Sequence, residues 1–159
     1  MAEQDGSVEE VQKNGKFFFE NDGVYEGDYI ELTPEVDGED ATDPAENEEE
    51  QEAKAPVVRK RHGKGTYSEK GNTYEGEWVS DKMDGKGKFT YASKAVYNGQ
   101  WVDNKYHGSG KYTWPDGSSY EGNWECNTMH GEGLYTTVEG HKFKGEYFNG
   151  KGNNLVKLL

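Results

Sequence analysis

The sequence predicts an all-β protein: an elongated single-layer antiparallel sheet of tandem 23-residue β-hairpins, with an acidic disordered insertion. Three observations carry this. First, an aromatic-x-Gly-x-aromatic element recurs at a period of 23: Tyr74-Glu-Gly76-Glu-Trp78, Tyr97-Asn-Gly99-Gln-Trp101, Tyr120-Glu-Gly122-Asn-Trp124 and Phe143-Lys-Gly145-Glu-Tyr147. A fixed period of this length marks a repeat architecture. Second, the apolar content is aromatic. Of 159 residues, 21 are Phe, Tyr or Trp and 22 are Gly, while Leu, Ile, Val and Phe together total 23. Enzyme folds of the α/β type and helix bundles need aliphatic residues at helical or buried-strand spacing. Third, the charge is divided. Residues 1–56 hold 19 acids against 3 bases, and residues 57–159 hold 12 against 15.

Residues 1–13 read as a disordered acidic N-terminus, with neither the basic start nor the apolar run of a secretory signal. Residues 14–30 read as a first, isolated repeat: Gly15-Lys-Phe17-Phe-Phe19, then Tyr25-Glu-Gly27-Asp-Tyr29. Residues 31–61 read as the acidic disordered insert. Glu31 to Pro56 carries 11 acids against Lys54 alone, with three prolines and no aromatic residue. Such a stretch cannot bury enough apolar surface to offset its ordering entropy. Tyr25 precedes Tyr74 by 49 residues, one period plus 26, so the insert is about one period long. Tyr25 to Ile30 is then expected to pair with Gly63 to Tyr67, with the insert as a long loop inside that hairpin. The cluster Arg59-Lys60-Arg61 is too short to signal nucleic acid and is expected to fold back on the acidic run.

Residues 62–152 read as the main array. Tyr74, Gly76 and Trp78 share one face of a strand, and Glu75 and Glu77 the other. Gly87, Phe89 and Tyr91 repeat the pattern, with Lys88 and Thr90 opposite. The two strands are expected to be joined by six or seven residues, for instance Ser80 to Lys86. A second turn, clearest in Trp114-Pro115-Asp116-Gly117-Ser118, returns to the next repeat. Residues 153–159, with Leu155, Val156, Leu158 and Leu159, read as an apolar C-terminal cap.

Catalysis, cofactors and metals find no support in the residues. His62, His107 and His130 recur at one phase. At a strand spacing of about 4.8 Å, His107 and His130 lie about 10 Å apart, too far to share a metal ion. They are expected to hydrogen-bond the linker, and His141 to lie in a turn. Gly85-Lys-Gly87 lacks the strand–loop–helix context of a phosphate loop. The single cysteine, Cys126, is expected to be a partly exposed thiol without a catalytic partner, which suggests a reducing compartment.

The repeated element, followed by His-Gly-x-Gly-x-Tyr as in His62-Gly63-Lys-Gly65-Thr-Tyr67, resembles the MORN repeat (membrane occupation and recognition nexus). The resemblance covers about residues 14–30 and 62–152. Asp84 departs from it by replacing the usual His, and the last copy stops at Asn149-Gly150-Lys-Gly152. The resemblance implies a non-enzymatic structural adaptor or scaffold that binds a partner helix or peptide within a large assembly. A ciliary axonemal complex of radial-spoke type is the leading expectation, with a cytoplasmic, cytoskeletal location. The partner-binding surface is expected on the aromatic face: Tyr74, Trp78, Tyr97, Trp101, Trp114, Tyr120, Trp124, Phe143 and Tyr147. The sheet is also expected to consume part of this stripe as its own core, the inner rings packing on each other while some edges remain for the partner.

Partners are expected to be other protein subunits. The alternative is a peripheral module for anionic phospholipids, using Lys64, Lys86, Lys88, Lys105 and Lys111, which the acidic insert would oppose. The charge balance disfavours nucleic acid. A self-pairing sheet edge offers a route to a dimer.

Overall fold

A computed structural model describes residues 8–34 and 57–159. These residues form one open sheet of eleven strands, each antiparallel to its neighbours in the chain. The strands are β1 (Val8–Phe18), β2 (Val24–Pro34), β3 (Val58–Glu69), β4 (Asn72–Val79), β5 (Lys82–Thr90) and β6 (Val96–Val102). They continue with β7 (Lys105–Thr113), β8 (Ser119–Glu125), β9 (Thr128–Thr136), β10 (Lys142–Phe148) and β11 (Lys151–Leu158). The elongated antiparallel sheet of hairpins expected from the sequence is observed. At about 4.8 Å per strand it extends roughly 50 Å across its strands.

A cross-strand ladder runs the length of the sheet. Phe17, Tyr25, Tyr67, Tyr74, Phe89, Tyr97, Tyr112, Tyr120, Tyr135 and Phe143 are consecutive register partners, and Lys157 ends the row. Beside it the glycines pair with each other: Gly65 with Gly76, Gly76 with Gly87, and Gly99 with Gly110. Glycine weakens a strand interior but permits close approach. A Cβ on Gly87 would lie 2.5 Å from Tyr74 Cζ, and one on Gly110 would lie 2.7 Å from Tyr97 Cζ. The tyrosine ring of the first strand therefore lies flat over the glycine of the second.

The expected six- or seven-residue linker is corrected to a two-residue turn. Ser80-Asp81, Asp103-Asn104 and Cys126-Asn127 all have positive φ, as the tight hairpin turns matching strand twist require. The residues assigned to the linker instead form a bulge in β5, β7 and β9, where Gly85, Gly108 and Gly131 take positive φ. A side chain from the facing strand closes the bulge. Glu77 Oε2 accepts from the Lys86 N–H at 2.9 Å, and Gln100 Oε1 from the Ser109 N–H at 3.0 Å.

Each turn also latches onto the preceding hairpin. Asn104 N–H donates to Met83 O at 3.0 Å, and its Oδ1 accepts from Met83 N–H at 2.8 Å. Asn127 repeats this on Tyr106, and Asp81 on Arg61. His62 Nδ1 lies 3.4 Å from the Ser80 N–H that it caps, in line with the linker role expected of it. Asp84, the departure from the usual His, accepts from Asp103 N–H at 3.2 Å and so does the same work.

Strand β2 pairs with β3 across the insert, as expected, but the pairing reaches further. Glu31 faces Arg59 and Leu32 faces Val58, so residues 31–34 and 58–61 are strand rather than insert. Glu31 is held by ion pairs from Lys13 and, at 2.8 Å, from Arg59. Residues 8–13 likewise belong to β1 rather than to an unstructured N-terminus. The acidity averaged over each segment hid these local pairings. The expected disorder of residues 1–7 and 35–56 lies outside the described residues. Residues 151–158 form β11 rather than a separate cap, with Leu155 lying over Gly145 and Gly152.

Candidate functional site

The aromatic face divides into an interior row and a surface row. Tyr74, Tyr97 and Tyr120 are almost wholly buried, and Trp78, Trp101, Trp124 and Tyr147 nearly so. Seven of the nine residues expected to meet a partner are therefore core, consumed by the sheet itself. Each tryptophan is wedged edge-on between tyrosines; Trp101 lies 5.2 Å from both Tyr74 and Tyr97. Its Nε1 donates to Gly87 O at 3.1 Å, and Trp78 and Trp124 make the same bond to Gly65 and Gly110. The tyrosine hydroxyls close the row: Tyr74 donates to Glu77 O at 2.9 Å and Tyr97 to Gln100 O at 2.9 Å.

Burial of these hydroxyls disfavours the charged phenolate. It pushes Tyr25 and Tyr120 up to about 12, and Tyr74, Tyr97 and Tyr106 higher still. A raised folded pKa contributes stability below the unfolded value near 10 and loses it as pH rises toward the folded one. The protein should hold its stability up to about pH 10 and lose it progressively as the pH rises further. An alkaline denaturation series followed by tyrosine absorbance checks this; gradual tyrosine ionisation without unfolding would contradict it.

Tyr147 stands in the tryptophan phase, and its hydroxyl is buried without a hydrogen-bond partner among the described residues. Tyr147→Phe removes that hydroxyl at little packing cost and should raise stability by about 1 kcal/mol in a urea titration.

Only Trp114 and Phe143 of the nine are part-exposed. The surface row comes from second strands and the loops after them: Tyr67, Phe89, Tyr91, Tyr112, Trp114 and Tyr135. Two apolar grooves open beside it. The first, about 320 Å³, is bordered by Tyr67, Trp78, Met83 and Phe89. The second, about 250 Å³, is bordered by Tyr112, Trp114, Trp124 and Met129. Between them Tyr106 fills the phase that Met83 and Met129 occupy elsewhere, stacked on Tyr97 at 3.7 Å and in hydroxyl contact with Tyr91. Sequence reasoning missed these methionines because it followed aromatic residues alone; residues 83, 106 and 129 keep the period of 23.

Arg61 closes the outer end of the first groove. Its guanidinium stacks 4.2 Å over Trp78, and Asp81 holds it at 3.1 Å. Arg61 thus packs on the sheet, while Arg59 of the same cluster pairs with Glu31 at the start of the acidic run, in line with the fold-back expected. The opposite face is polar. In register across the sheet it presents Thr66, Glu75, Lys88, Asn98, Lys111 and Glu121, followed by Leu134 and Lys144. An open groove of about 590 Å³ lies there, with Lys64, Lys86 and Lys88 beside Glu75 and Glu77.

A family model described as MORN repeat matches residues 60–73, 74–96, 97–119 and 120–142. No curated protein matches the chain. Three of the four matched segments start at Tyr74, Tyr97 and Tyr120, the buried tyrosines that open successive hairpins. The hairpin pairing of β2 with β3 extends the same construction to the N-terminal copy outside the match. With four matched repeats over more than half of its length, three of them whole hairpins of this sheet and the first centred on the second strand β3, the chain belongs to the MORN-repeat family, an interaction module for proteins or membrane lipids.

Proposed function

We propose that the chain is a non-enzymatic structural adaptor that seats a partner helix or extended peptide on the aromatic face within a large assembly. A ciliary axonemal complex of radial-spoke type is the first candidate, with a cytoplasmic, cytoskeletal location. The reading extends to a resemblance of the C-terminal repeats to those of MORN repeat-containing protein 2. The observation that carries the reading is the surface row of half-exposed Tyr, Phe and Trp between two methionine-bordered grooves. Such rings offer large contact area with few rotatable bonds to freeze, and methionine adapts to irregular partners.

The test is affinity capture from ciliated cells with the wild type and a Tyr91→Ala/Trp114→Ala variant. Recovery of axonemal subunits by the wild type alone, with both proteins folded alike, is the expected result. Equal recovery by both would remove the groove as the binding surface. The lipid reading rests on the lysines of the polar groove, where Glu75 and Glu77 offset much of their charge. Sedimentation with anionic vesicles, and its loss in a Lys64→Gln/Lys86→Gln/Lys88→Gln variant, would favour lipid instead.

A further inference from the structure

Among the described residues, the N-terminal edge of the sheet is half a hairpin. Gly15-Lys16-Phe17 in β1 occupies the phase of Gly65-Thr66-Tyr67, Gly87-Lys88-Phe89, Gly110-Lys111-Tyr112 and Gly133-Leu134-Tyr135. Each of those second strands pairs on one side with the first strand of its own hairpin and on the other with the next first strand. β1 has the next first strand, β2, on one side; its other side is open among the described residues.

Three features set this edge apart. A Cβ on Gly65, Gly87 or Gly133 would lie 2.5 Å from the Cζ of a tyrosine on its own first strand. On Gly15 the nearest atom is Tyr29 Cε1 at 3.1 Å, and among the described residues no ring from a first strand of its own hairpin covers it. Next, the residue after the ladder aromatic is Ser68, Thr90, Thr113 or Thr136 in the other second strands, but Phe18 in β1, where it is 76 % exposed. Third, β1 pairs with β2 over eleven positions without a register shift, so the edge runs straight. Edge strands are commonly blunted by bulges, as β11 is at the other end, with a register shift and Asn154 at φ 50°.

We propose that β1 accepts in trans an extended strand of the pattern aromatic-x-Gly-x-aromatic with acidic x residues: the first strand of another repeat array. Its leading ring would cover Gly15 and pack on Phe17 and Tyr29, which meet edge to face at 4.7 Å. Its glycine would face Gly15, as Gly76 faces Gly87. Lys16 holds the phase of Lys88, which faces Glu75, so a Glu after the leading aromatic residue would meet Lys16. Main-chain hydrogen bonds supply affinity, and the alternating side chains supply the pattern read. The surface is separate from the grooves of the aromatic face, so its test stands whether or not those grooves bind.

The test is an NMR titration of the isotope-labelled full chain with the peptide Asn-Thr-Tyr-Glu-Gly-Glu-Trp-Val, the sequence of β4. The expected result is shifts at β1 amides by millimolar peptide, with β11 unmoved. Lys16→Glu should weaken binding by about fivefold to tenfold, and a peptide with Lys in place of both Glu should recover it. A peptide with Val in place of Gly should not bind. No shifts at millimolar peptide, or shifts confined to β11 or the aromatic face, would overturn the proposal. So would self-association through β1 that the peptide does not displace, which would assign the edge to a second copy.

Discussion

Gly110→Val should destabilise the centre of the sheet by about 3 kcal/mol, the upper end of the overpacking range. A Cβ there would lie 2.7 Å from Tyr97 Cζ. The Tyr97 ring cannot retreat, because Trp101, Tyr106 and Trp124 surround it at 5.2, 3.7 and 5.5 Å. The strand cannot move away either, since Gly99 and Gly110 are paired and their backbones are in contact. Two controls separate close approach from simple loss of glycine. Gly117 has open space but φ +92°, so Gly117→Ala should cost about 1 kcal/mol from backbone strain alone. Gly15→Ala meets only a ring edge at 3.1 Å and should cost a few tenths, roughly 0.3 kcal/mol. Urea titrations of the three variants provide the ranking. Because a repeat array is stabilised by neighbour interfaces, hydrogen exchange should show β6 to β8 opening first in Gly110→Val. Equal costs for Gly110 and Gly15 would contradict the ring-over-glycine account.

Trp101→Ala should cost about 3–5 kcal/mol, as expected for truncation of a large buried ring. The side chain is 3 % exposed, and its loss would also leave Gly87 O without the indole donor. Trp114→Ala should cost less, about 1–2 kcal/mol, because that ring is half-exposed and packs mainly on Tyr112 at 5.0 Å and Tyr135 at 5.8 Å. Denaturant midpoints of the two variants measure the difference. A partner lost with Trp101→Ala would then report unfolding, whereas a partner lost with Trp114→Ala would report a missing contact. Near-wild-type stability for Trp101→Ala would mean that the tryptophan row is not the core.

Much of this was legible in the residues because the period is strict. Tyr74, Tyr97 and Tyr120 keep a spacing of 23 with glycine two residues on, and that alone sets hairpin count, strand polarity and the neighbour order of the sheet. Pairing of β2 with β3 across the insert was also legible, since Tyr25 to Gly27 and Gly65 to Tyr67 are the two halves of one element. The strand ends were not. Glu31 joins β2 through Lys13 on one side and Arg59 on the other, and neither contact can be read from the acidity of residues 31–56.

The choice of site turned on a distinction the chain does not carry locally. First and second strands read alike, aromatic on one face and polar on the other, so alternation cannot say which rings are interior. The folded sheet decides it by distance across strands. A first-strand ring lies over a neighbouring glycine and is buried, whereas Tyr112 and Trp114 project beyond that glycine row and stay half-exposed. The bulge at Gly85 was decided in the same way, because a positive φ is favourable there only once Glu77 on the facing strand closes it. Period and polarity are properties of the chain alone, while burial and the open edge at β1 follow from which neighbour each strand has.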